Sequence, residues 1–143
     1  MSPKPPLHVV SGSLPPKWLR VLIAHDDRDT ANMLALLLRA EGHDVQVTLR
    51  GDDALDICRL YRPDVVIAHV NMPGTSGYAL ARELRLRHGQ VAPLLIAISA
   101  VWTNATDRQL GKNAGFDHDL RKSCDLKDVV RLIEARYRQN AGR

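Results

Sequence analysis

The sequence predicts an α/β chain built on a parallel, doubly wound sheet, and three observations carry that prediction. Short β-rich runs alternate with stretches whose apolar residues recur at spacings of three and four. The alternation repeats five times, which is the pattern of strands joined by crossover helices. Two of the runs, residues 64–68 and 94–99, are apolar almost throughout, as strands covered on both faces must be.

The elements follow in order. Residues 19–24 form the first strand. The first helix places Met33, Leu34, Leu37 and Leu38 on one face, and Gly42 stops it as a C′ glycine. Residues 45–49 alternate as a second strand. Asp52 is expected to cap a helix whose inner face is Leu55, Cys58 and Tyr61. After the third strand comes a loop, residues 71–77. A helix follows with Leu80 and Leu84 inward and Arg82, Arg85 and Arg87 outward. The fourth strand leads to a weaker helix at residues 106–114, stopped by Gly115. Residues 116–120 make the fifth strand. Asp125 is expected to cap a last helix with Val129, Leu132 and Ile133 inward and Asp128 at the third position of a capping box. Right-handed crossovers favour the strand order 2-1-3-4-5.

The 143 residues are 45% apolar and 25% charged, enough for one core. Residues 1–17 carry Pro3, Pro5, Pro6, Pro15 and Pro16 and read as a flexible proline-rich tail; residues 18–143 read as the folded domain. The net charge is +4 with a sequence pI of about 9.4, and Lys4 and Lys17 of the tail supply half of that charge. The remainder is too mild to argue for nucleic acid, and no DNA-reading helical motif is apparent, so no nucleic-acid partner is expected. The apolar runs are too short to cross a bilayer and residues 1–16 hold no signal core, so no membrane association and a cytoplasmic location are expected. Cys58 and Cys124 fit no metal spacing and read as reduced thiols.

In an open sheet of this order the ligand site lies beyond the carboxyl ends of the strands, at the switch point between strands 1 and 3. Strand 1 ends in His25-Asp26-Asp27. Strand 3 ends in His69, strand 4 in Ser99-Ala100, and strand 5 runs into Lys122-Ser123. From about residue 19 to 138 the chain resembles the response-regulator receiver domains of the CheY-like family. The resemblance rests on Val21-Leu22-Ile23-Ala24-His25-Asp26-Asp27, on Pro63-Asp64-Val65-Val66-Ile67-Ala68-His69-Val70-Asn71-Met72-Pro73-Gly74, on Ile98-Ser99-Ala100, and on Gly115-Phe116-Asp117-His118-Asp119-Leu120-Arg121-Lys122.

That resemblance implies a three-layer flavodoxin-like fold and a role in two-component phosphorelay signalling rather than an enzymatic activity. In the family an acidic pair on strand 1 binds magnesium and a strand-3 aspartate accepts a phosphoryl group from a histidine kinase. A hydroxyl on strand 4 and a lysine on strand 5 respond. Matched by position, Asp26 is the second acid of the pair, Asn71 lends a carbonyl toward the metal, Ser99 is the switch hydroxyl and Lys122 the lysine. Three positions depart: His25 replaces the first acid, His69 replaces the phosphoacceptor, and Ser123 replaces a proline often preceded by a cis bond. Lys122-Ser123 is expected to be trans, since a cis bond before a non-proline costs ~2.5–4 kcal/mol. Leu120 stands where many receivers carry a switching aromatic, and Trp102 lies near their partner face.

Magnesium wants hard oxygen ligands, so imidazoles at 25 and 69 predict weak or absent Mg2+ binding through Asp26 and Asn71, and no aspartyl phosphorylation. Asp27 and Asp64 are not expected to substitute. The expected function is a single-domain atypical regulator acting through protein contacts in trans. Its implied partners are a sensor histidine kinase docked on the first helix, another two-component protein, or a second copy across the helix 4–strand 5–helix 5 face. Two alternatives stay open: His69 accepting phosphate on a ring nitrogen, and His25, Asp26 and His69 holding a transition metal. Paired imidazoles would also resist joint protonation, the basis of a pH sensor. No phosphate-binding glycine turn follows strand 1, which argues against a nucleotide or flavin enzyme at that end.

Overall fold

The computed structural model describes residues 18–88, 92–99, 110, 112–121 and 126–141. The elements run β1 (Arg20–Ala24), α1 (Arg28–Ala40), β2 (Asp44–Thr48), α2 (Gly51–Tyr61), β3 (Val65–His69), α3 (Gly77–His88), β4 (Leu94–Ser99), β5 (His118–Arg121) and α4 (Leu126–Ala141). Five parallel strands form one sheet in the order β2-β1-β3-β4-β5, as expected.

Successive strand side chains point to opposite faces, and the sheet divides its residues accordingly. Leu22, Val66, Ala68, Leu95 and Ala97 pack with Ala54 and Cys58 of α2 and Leu80 and Leu84 of α3. Val21, Ile23, Val65, Ile67, Ile96 and Ile98 pack with Leu34 and Leu38 of α1 and Val129 and Ile133 of α4. Both faces are thus covered, and β3 is buried along its length until His69.

Several local expectations need correction. The inner face of α1 is Ala31, Leu34, Ala35 and Leu38, whereas Met33 is 61% exposed. At about 3.6 residues per turn the stripe 31, 34, 35 and 38 leaves position 33 off the buried face. Asp52 is not the cap of α2: Arg50 holds that position, no side chain caps it, and Asp52 sits in the first turn, 3.3 Å from Arg50 Nε. The Arg50 hydrogen bond holds the Asp52 carboxyl below the usual range. β5 starts at His118 rather than 116; Phe116 is buried in the core and Asp117 Oδ2 accepts the Leu95 N–H at 2.8 Å. Gly42 closes α1 at φ 97° and Gly115 turns at φ 116°, both positions that favour glycine. Of the expected helix at 106–114, residues 110 and 112–114 are described and are helical; Asp125 and residues 1–17 lie outside the described residues. Among the described residues no helix is long and apolar enough to cross a membrane.

Candidate functional site

The register Ala24↔Ala68 aligns β1 with β3, and the next residue on each strand is a histidine. The His25 backbone N–H donates to the Thr48 carbonyl at 3.0 Å, prolonging the β1–β2 ladder by one step. His69 stands opposite Ile98 of β4. The two imidazoles therefore lie side by side at the switch point, stacked with centroids 4.3 Å apart and planes 20° from parallel. His25 is buried and His69 nearly so, at 12% exposure; Asp26 stands at the mouth, 43% exposed.

Hydrogen bonds define which ring nitrogens carry protons. The Asp27 N–H donates to His25 Nδ1 at 3.0 Å, so that nitrogen is an acceptor and the neutral ring carries its proton on Nε2. The 3.5 Å approach of Asp26 Oδ1 to His25 Nδ1 is consequently not an ion pair, because the lone pair is already engaged. His69 Nδ1 lies 3.1 Å from the Ile98 carbonyl, which only accepts, so Nδ1 donates. In the neutral ring the His69 lone pair is then on Nε2, which lies 3.8 Å from Asp26 Oδ1. Asp27 precedes α1 and takes a hydrogen bond from the Thr30 hydroxyl, and Asp64 accepts the Arg20 N–H at 2.9 Å.

This geometry does not favour the transition-metal alternative. The stacked rings do not converge on a common point as arranged, and His25 Nδ1 and His69 Nδ1 are both engaged by backbone groups. Among the described residues no group of three or more His, Cys, Asp or Glu side chains is arranged to hold a metal.

The loop after β3 is shaped by backbone proximity. Gly77 N–H donates to Val70 O at 2.8 Å, and a Cβ on Gly77 would come within 2.5 Å of His69 O. A Cβ on Gly51 would meet Thr75 O at 1.7 Å, so the start of α2 needs glycine to lie against this loop. Asn71 is exposed on that loop. Ser99 ends β4 in register with Arg121; Lys122, Ser123 and Trp102 lie outside the described residues. Leu120 faces Ile98 across β4 and β5 and packs, half-buried, against the α1–α4 side of the core.

The groups that orient the imidazoles, the Ile98 carbonyl and the Asp27 N–H, were not legible in sequence. They are backbone groups of a kind common to all residue types.

A profile of the response regulator receiver domain matches residues 21–134. This chain belongs to the response regulator receiver domain family.

Among curated relatives, this receiver domain is 36% identical over 121 residues to the DNA-binding response regulator MtrA of Mycobacterium tuberculosis, covering 85% of this chain and 51% of that protein. It is 29% identical over 124 residues to the cell cycle response regulator CtrA of Brucella ovis, covering 87% of this chain and 52% of that one. The chain thus spans about half the length of these relatives. Among solved structures, the Francisella response regulator 1452 receiver domain superposes with a TM-score of 0.78 at 24% identity, over 85% of this chain and 98% of that one; it shows the fold. A response regulator structure from Chloroflexus aurantiacus gives a TM-score of 0.75 at 27% identity, over 84% of this chain and 98% of that one.

Proposed function

We propose that this receiver is an atypical response regulator of bacterial two-component signalling that works through protein contacts, without phosphorylation of an aspartate at the end of β3. The observation that carries the reading is the stacked pair of imidazoles where the family chemistry uses carboxylates, with His69 tied to the Ile98 carbonyl and Asp26 3.8 Å from its Nε2. The donor set does not fit magnesium. Asp26 and the Asn71 carbonyl are the hard donors the position offers, and a neutral imidazole supplies neither charge nor oxygen. No phosphoryl step is therefore routed through that ion.

In this reading residues 18–143 are the receiver and residues 1–17 a tail. The protein is cytoplasmic, is not an enzyme, and docks on a sensor histidine kinase or another two-component protein. Ser99 and Lys122 keep their family positions, and the face around β5 and α4 is the surface for a second copy. The expectation that nucleic acid is excluded has no support from the relatives: MtrA is a DNA-binding response regulator, and this chain matches half of it.

A second reading is favoured by one hydrogen bond. With Nδ1–H held by Ile98 O, the Nε2 lone pair of His69 is the available nucleophile, so a phosphoryl group would enter there. The two readings separate in one experiment. The protein is incubated with a histidine kinase and ATP, or with acetyl phosphate, followed by intact mass and peptide mapping. No added phosphate supports the contact-only reading. An acid-labile, base-stable adduct on His69 establishes the second. A base-labile acyl phosphate on Asp26 or Asp27 overturns both.

A further inference from the structure

At the opposite end of the sheet, α2 and α3 finish beside the first residue of β1 and the residues just before β3 and β4, around a cleft of about 630 Å³. The length of β1 separates it from His25, roughly 16 Å at ~3.3 Å per residue. Four arginines line it, Arg20, Arg59, Arg62 and Arg87, together with His88. The one acid among the lining residues, Asp64, already accepts the Arg20 N–H. The floor is apolar, formed by Leu55, Cys58 and Leu84.

Cations in the last turn of a helix complement its dipole, which accounts for Arg59, Arg87 and His88. It does not account for Arg62. This residue caps α2 at φ 53°, ψ 64°, a left-handed position where glycine avoids the Cβ clash. An arginine there incurs a backbone cost, while its side chain lines the cleft. Arg62 O is held by Arg20 Nε at 3.2 Å, which joins the two arginine-bearing segments. Arg59 and Arg87 contact Asp56 and Glu83 at 3.8 and 3.2 Å, but these pairs are solvent-exposed and weak, so a doubly charged group competes with them.

We propose that this cleft binds a nucleoside phosphate, independently of the chemistry at His69. Guanidinium forks match phosphate oxygens in pairs and also stack on planar rings. A cleft of several hundred cubic ångströms with an apolar floor and a few convergent polar groups suits a ligand with one charged end and one flat apolar end.

The test titrates the full chain with guanosine 5′-diphosphate, adenosine 5′-diphosphate and inorganic pyrophosphate, observed by amide NMR. The expected result is saturable shifts at Leu55, Cys58 and Leu84 with at least one nucleotide, and weaker binding of pyrophosphate, which has no base. Arg62→Gly discriminates sharply. It relieves the backbone cost, so Tm rises, while nucleotide affinity falls roughly tenfold, the scale of a charge-assisted hydrogen bond. Arg87→Gln also weakens binding; Arg82→Gln, exposed on α3 and outside the cleft, does not. The proposal is overturned by an absence of saturation at millimolar nucleotide, by pyrophosphate binding as tightly as the nucleotides, or by Arg62→Gly leaving affinity unchanged.

Discussion

His43 shows how one buried side chain sets a pH response. It is 6% exposed between α1 and β2, and its Nδ1 accepts the Leu19 N–H at 3.0 Å. Burial lowers its pKa below the ordinary 6.5, against the opposing pull of Glu41 and Glu134. The sign follows from proton counting: between the folded and unfolded values the unfolded chain binds more protons. The stability this residue supplies is therefore complete above 6.5 and is lost as pH falls toward the folded value. Urea midpoints followed downward in pH from neutrality should drop, and His43→Asn, whose Oδ1 can take the same N–H, should flatten that drop. A variant with the native slope would remove His43 as the source. Cys58 makes the complementary case. Burial pushes its thiol up to about 12, so the thiolate is scarce at neutral pH. Iodoacetamide should spare Cys58 in the native protein and modify it in denaturant, as read by peptide mapping. Helical spacing had already placed Cys58 inside; nothing in the local sequence marked His43, because its partner lies across the fold at Leu19.

At the scale of elements, packing depends on close backbone approach more than on helix signals. Gly51 and Gly77 start α2 and α3 where a Cβ would strike Thr75 O and His69 O. Gly51→Ala should cost about 1–3 kcal/mol, the usual cost of overpacking. Chemical denaturation measures it, and a neutral result would show that the loop after β3 yields freely. Asp117 illustrates the polar counterpart. One of its oxygens accepts from both the Leu95 N–H and Arg85, at 2.8 and 2.7 Å, while Arg85 Nε donates to Gly115 O at 2.9 Å. Asp117→Ala would leave the Leu95 amide unsatisfied at the entrance to β4, at a cost of about 1–3 kcal/mol. Both effects were hidden at the sequence level. Periodicity identifies an apolar face, but it does not report how near two backbones come; at α1 the larger Met33 was placed inward where the small Ala31 and Ala35 complete the buried stripe.

For the whole molecule, the decisive question is whether chemistry can be restored by charge. His25→Asp with His69→Asp returns carboxylates to both strand ends, and this double variant should gain a base-labile phosphate from acetyl phosphate in Mg2+ where the native chain gains none. His69→Asp alone should gain far less, since the carboxylate at position 25 is still missing. Equal labelling of the native chain would end the contact-only reading. The strand order and both faces of the sheet were readable from residue order, because alternation of short apolar runs with helical periods leaves few ways to cover β3 on two sides. The identity of the residues at the strand ends was equally legible. What only the folded chain decided is how those residues meet: which imidazole nitrogen holds its proton, that the rings stack instead of converging on a metal, and that four arginines from three segments gather at the far end. Those outcomes depend on backbone carbonyls, amides and register between strands distant in sequence, and such groups leave no mark in the side-chain pattern.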